Sequence, residues 1–199
     1  MALGEDVRAE LWDGELVMMS GPTGVHQDIG ASLMGALRDP YHRGRGGPGG
    51  WLLLHDVDVR LKALRIVRPD LAGWRRERLL VVPDKGPIDV IPDWMCEVLS
   101  PSTGRHDRGR KLPAFAETGV GHAWIIDPER RTVEVFARKG KRYTFMGAWG
   151  DGDVVVLEPF DAAPMVVSEL FPGPPLAHEQ PIERYKPRRR AARARSPGG

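Results

Sequence analysis

Apolar and polar positions change period several times along the chain. RAELWDGELVMM (8–19) alternates on either side of Asp13-Gly14, a dipeptide favoured in tight turns, and predicts two short strands. Val25, Ile29, Leu33, Ala36 and Leu37 recur at helical spacing and predict a helix over 25–37. DPYHRGRGGPGG (39–50) reads as a Gly-rich loop. It lacks the closing Gly-Lys-Ser/Thr of a phosphate-binding loop and opens no clear helix, so it is assigned a connecting role.

WLLLHDVDVRL (51–61) and RIVRPDLAGW (65–74) read as paired strands. Val57, Val59 and Leu61 alternate with Asp56, Asp58 and Arg60, which predicts one wet face. After an irregular connection, DWMCEVLS (93–100) reads as a buried strand and PSTGRHD as a turn. DRGRKLPAFAETG (107–119) predicts a helix with Asp107 as N-cap and Gly119 as its end, while Pro113 implies a kink. HAWIIDP, TVEVFAR, KRYTFM and DVVVL are four more strand candidates, and MVVSELFPG closes with a short strand and one helical turn. This order predicts an α/β or α+β domain around one central mixed sheet.

Length suits one domain with a tail, 1–183 and 184–199. The overall +2 charge conceals a division. Residues 184–199 hold seven Lys/Arg and no acid, so 1–183 carries 22 basic against 27 acidic residues, a formal −5. The tail, YKPRRRAARARSPGG preceded by Arg184, has the composition of a disordered segment. Arg188, Arg189 and Arg190 make it a candidate for nucleic-acid phosphates; a solubilising extension is the alternative. No run of eighteen apolar residues predicts a membrane span, and the N-terminus lacks a secretory pattern. The single cysteine, Cys96, suits a reducing compartment, so a cytoplasmic location is expected.

Three acids stand among apolar residues on predicted strands: Glu15 in ELVMM, Asp70 after Pro69, and Glu97 inside WMCEVL. A buried carboxylate loses hydration worth several kcal/mol and needs a partner. If the strands are neighbours, like charges converge, and Mg²⁺, held by one or two carboxylates plus water and phosphate, offsets them. Such a site would hydrolyse a phosphodiester and would need a cation beside it. A lysine two residues after Glu97 would share its strand face, but that position is Leu99. Lys111, at i+4 from Asp107, is the nearest replacement; a helix-surface pair with Asp107 is its bland alternative. Asp70 and Glu97 could likewise form ordinary ion pairs or face solvent. Ser100, Ser102 and Thr103 suit a turn, Cys96 an inert core thiol, and Trp74, Trp94 and Trp124 the core. The remaining histidines show no zinc-ligand spacing.

WDGELVMMSGPTGVHQ, VRPD and CEVLSPSTGRHDRGRKLPAFAETGVGHAWIIDPERRTVEVF together resemble the Uma-two family of restriction endonuclease-like proteins, within the PD-(D/E)xK nuclease superfamily. The resemblance runs from about Glu10 to about Phe136. It implies a restriction-endonuclease-like core with Mg²⁺, or Mn²⁺ in its place, and DNA as substrate. Asp70 matches the first acid of the motif, Glu97 the second, Glu15 an N-terminal acidic position and His26 a histidine opening the first helix. Leu99 departs from the motif's lysine, and Lys111 looks like its displaced counterpart. The implied activity is a metal-dependent endonuclease with no organic cofactor, and a homodimer is expected by analogy. The alternatives are an inactive nuclease-fold DNA-binding or assembly module, and a phosphate-ester hydrolase acting on a small molecule.

Overall fold

The computed structural model describes residues 8–100 and 104–173; the basic segment with Arg188, Arg189 and Arg190, and the turn residues Ser102 and Thr103, lie outside them. The first hairpin pairs β1 (Ala9–Trp12) with β2 (Glu15–Met18) around Asp13-Gly14, where both turn residues adopt positive φ. Helix α1 (Gly24–Leu37) starts at Thr23, whose hydroxyl accepts the His26 N–H. It continues as a π-helical segment, Arg38–Arg43, where a loop is expected from the glycines. The reason is that the glycines begin only at Gly44, whose left-handed φ of 70° ends the segment, and Tyr41 is buried within it.

The predicted strand 51–61 is two strands in two sheets. Asp56, at φ 54°, breaks the chain between β3 (Trp51–His55) and β4 (Val59–Lys62). β4 pairs with β5 (Arg65–Val67), and β3 pairs with β6 (Leu71–Arg75). The order β2-β1-β5-β4 makes one antiparallel sheet. Next come β7 (Trp94–Val98), α2 (Gly104–His106), a π-helical segment Asp107–Lys111 and α3 (Leu112–Thr118). Asp107 is therefore not an N-cap: the helical run begins earlier, at Gly104, and Asp107 is buried inside it. The π register joins Leu112 N–H to Asp107 O, five residues back, and Pro113 falls in the first turn of α3, where its missing N–H costs little. Gly119, at φ 107°, ends α3 as expected.

β8 (His122–Asp127), β9 (Thr132–Lys139) and β10 (Arg142–Gly150) complete the large sheet in the order β10-β9-β8-β7-β6-β3, in which β7 and β8 alone run parallel. β11 (Val154–Leu157) and β12 (Phe160–Val166) form a separate ribbon. The central mixed sheet is thus present, accompanied by two smaller sheets. One of its faces packs against α1 and the ribbon through Leu33, Trp51, Trp94, Trp124 and Phe160. The other packs against α3 and the first sheet through Trp12, Val67, Met95, Phe115 and Ile125.

Alternation along β7 sets the direction of Glu97. Trp94, Cys96 and Val98 enter the first core, while Met95 enters the second. Glu97 shares parity with Met95, so it points toward the layer that carries the π-helical segment. Cys96 is fully buried and its thiol is pushed well up by burial, in keeping with an inert core role. The tryptophans 74, 94 and 124 are likewise core residues.

Candidate active site

Lys111 is the hub. It is 2% exposed, and its Nζ lies 3.0 Å from Glu97 Oε1, 3.0 Å from Glu10 Oε1 and 3.6 Å from Asp107 Oδ1. The π-helical turn carries Asp107 and Lys111 inward together, so their i+4 relation forms part of a buried cluster rather than a surface pair. Burial alone disfavours the ammonium, but Glu97, Glu10 and Asp107 prevail and hold its pKa above the ordinary lysine value. Three carboxylates share this single ammonium. Burial accordingly pushes the Glu97 carboxyl well up; Lys111 opposes the shift, while Asp70, Asp107 and Glu10 add to it.

Asp70 stands where the chain enters β6. Its Oδ2 accepts the Val98 N–H at 2.7 Å and lies 3.0 Å from His26 Nε2. The His26 imidazole pKa is raised, chiefly by its hydrogen bond to Asp70, against the effect of burial. Thr23, by capping α1, fixes the turn from which His26 reaches Asp70. A cleft of about 230 Å³ is lined by Thr23, His26, Asp70, Glu97, Ser100 and Lys111, among others. Four of the residues expected from the sequence therefore converge: Asp70, Glu97, Lys111 and His26.

Glu15 does not join them. It is exposed on β2, the outer strand of its sheet, and is absent from the cleft lining. The N-terminal acid beside Lys111 is Glu10, on β1. Glu10 is 1% exposed; Trp12 Nε1 donates to its Oε2 at 2.8 Å and Arg68 N–H to its Oε1 at 2.9 Å. Alternation carried this signal, because Glu10 shares a strand face with the buried Trp12. Leu99, two residues after Glu97, is partly buried against the second core. His106 stacks edge-on against Trp12 and sits 3.7 Å from Glu10; burial lowers its pKa. Arg68, which also lines the cleft, clasps Asp58 with two bonds of 2.8 and 3.0 Å.

Among the described residues, no group of three or more His, Cys, Asp or Glu side chains is arranged to enclose a metal ion. A Mg²⁺ ion needs only one or two carboxylates, with water and phosphate filling the remaining positions. Asp70 and Glu97 both line the cleft and could hold such an ion. Both bonds to Asp70 fall on Oδ2 and the Lys111 contact with Glu97 falls on Oε1, so each keeps a second oxygen as donor among the described residues.

Comparison with known proteins identifies the family and the fold. A family model described as "Putative restriction endonuclease" (Uma2) matches residues 1–163. A putative nuclease belonging to DUF820 from Anabaena variabilis, solved by crystallography, has a TM-score of 0.66 to this chain at 19% identity. The match covers 82% of this chain and 89% of that one, and at that identity it speaks to the fold. No curated protein matches the chain. With its nuclease-like mixed sheet and a match over most of its length, the chain belongs to the Uma2 restriction endonuclease-like family.

Proposed function

We propose that this protein is a Mg²⁺-dependent endonuclease that hydrolyses DNA phosphodiester bonds in the cleft between His26 and Lys111. The observation that carries the reading is the buried Lys111 ammonium 3.0 Å from Glu97, in a cleft that Asp70 also lines. Asp70 and Glu97 are the pair that would hold the metal. When bound, Mg²⁺ polarises the phosphodiester and lowers the pKa of a coordinated water.

The chain's own groups do the rest. Lys111 is held as an ammonium by its three carboxylates, so it serves as a fixed positive charge against the developing phosphorane and not as a general base. Its place on the helical segment supplies the cation that Leu99 cannot. His26 orients Asp70 through Nε2, and the Val98 N–H fixes the same oxygen from the strand side. Glu10 holds Lys111 from below without lining the cleft. A cytoplasmic location, a homodimer that cuts both strands, and contact of Arg188–Arg190 with DNA phosphates complete the proposal.

The test is supercoiled plasmid with purified protein and Mg²⁺ or Mn²⁺. Nicking is expected from wild type and lost in Asp70→Asn and Glu97→Gln. A second reading, an inactive DNA-binding module, draws on the near-complete burial of Lys111 by its acidic partners, which also suits a structural ion cluster. DNA binding without cleavage in any divalent metal is its signature.

A further inference from the structure

Next to the cleft lies a second recess of about 380 Å³ that shares Arg8, His26 and Asp70 with it. One wall is a single face of α1 and its continuation, where His26, Gly30, Met34 and Arg38 succeed one another at intervals of four. The opposite wall is the bend at His55 and Asp56. The charges here are unequal in their commitments. Asp56 is paired with Arg8, and Asp70 is bonded to His26. Arg38 has no acid in ion-pair contact among the described residues, and its buried Nε has no hydrogen-bond partner there. A buried guanidinium N–H without an acceptor is costly unless a ligand supplies one. Gly30 leaves the recess open: a Cβ built there meets nothing within 4 Å.

We infer that this recess is an anion subsite in which Arg38 takes a backbone phosphate of the DNA strand, a few nucleotides from the scissile bond. The inference rests on the nuclease reading and deepens it. The guanidinium matches a phosphate as a planar, permanently charged donor. Arg38 lies three turns along from His26, about 18 Å between Cα atoms at helical rise, and side chains on a helix lean back toward its N-terminus. A single bound phosphodiester thus engages the cleft, while a strand also engages Arg38. Gly30 leaves space on this wall of the recess, and Arg8, His26 and Asp70 line both cavities.

Two variants test it, Arg38→Gln and Gly30→Met. The second extends into open space and improves helix propensity, so its melting temperature should stay at or above that of wild type. The measurements are affinity for a fluorescent DNA duplex across a salt series, and turnover of plasmid against the small diester bis(p-nitrophenyl) phosphate. Arg38→Gln should weaken duplex binding about tenfold and reduce the log–log salt slope by about 0.9, the value for one lost phosphate contact. The ratio of DNA to small-diester turnover should fall about tenfold in both variants. Wild-type affinity and slope in both, or equal loss on the two substrates, overturns the subsite while leaving the nuclease reading in place. Wild-type protein that neither binds the duplex nor hydrolyses the small diester overturns the nuclease reading, and the subsite with it.

Discussion

Lys111 Nζ and Glu97 Oε1 lie 3.0 Å apart and buried, although the residues are fourteen positions apart on a helical segment and a strand. Glu97 points from β7 into the second core, and the π-helical turn brings the ammonium to meet it. The buried ammonium is tolerated because carboxylates surround it, and Glu10 and Asp107 tie the pair to β1 and to the helix.

Lys111→Ala removes the one ammonium among three buried carboxylates. Uncompensated buried charge of this kind costs about 3–5 kcal/mol. Urea denaturation at neutral pH should show that loss. A Lys111→Met/Glu97→Gln double-mutant cycle should show coupling of about 1–3 kcal/mol.

Glu10 and Glu15 should behave oppositely. Glu10→Ala strands the Trp12 indole N–H and the Arg68 amide as well as weakening the hold on Lys111, a loss of about 1–3 kcal/mol for each orphaned group. Glu15→Ala, on an exposed outer strand, should stay within about 0.5 kcal/mol of wild type and keep its nuclease activity. Thermal melts and plasmid nicking of the two variants make the comparison.

That contrast marks the limits of the sequence. Glu97 was legible because a carboxylate inside WMCEVL has no bland place in a core strand, and Lys111 because it stands four residues from Asp107. Asp70 stood out among the apolar residues of RIVRPDLAGW, which reads as one strand, although it lies at the break between β5 and β6. Glu10 was hidden: its neighbours Ala9 and Leu11 belong to the other strand face, and only its parity with Trp12 points inward. Glu15 sat in the more apolar run, ELVMM, but that run became an outer strand with Leu16 and Met18 exposed. The split at Asp56 was hidden for a related reason. Apolar alternation from Val57 to Leu61 reads as one strand with 51–55, while a single positive φ sends the two halves to different sheets.

The His26–Asp70 contact should be visible in pH dependence. With EDTA present to exclude divalent metal, the raised imidazole pKa means that the folded state holds its proton more tightly than the unfolded chain. The stabilisation is complete below the unfolded value near 6.5 and is lost as pH rises through the higher folded value. Melting temperatures of wild type and His26→Ala should therefore differ most on the acid side of neutrality, with the gap narrowing above it. A gap that widens with rising pH would contradict the contact.

Leu99 offers a rescue experiment. It shares the strand face of Glu97 and is partly buried beside the same core, so a lysine there can carry positive charge toward the cleft. In a Lys111→Met background, adding Leu99→Lys should return part of the lost nicking rate. No return in a folded double variant would show that the charge must come from the helical segment.

Whether Asp70 and Glu97 drive metal-dependent DNA cleavage is decided by plasmid nicking with wild type, Asp70→Asn and Glu97→Gln in parallel, with Mg²⁺ and with EDTA. Wild type should convert supercoiled to open-circular DNA only with Mg²⁺ present, and each variant should lose at least about a hundredfold, the scale of one transition-state interaction. Equal nicking by all three proteins, or none by folded wild type in either Mg²⁺ or Mn²⁺, would contradict that role.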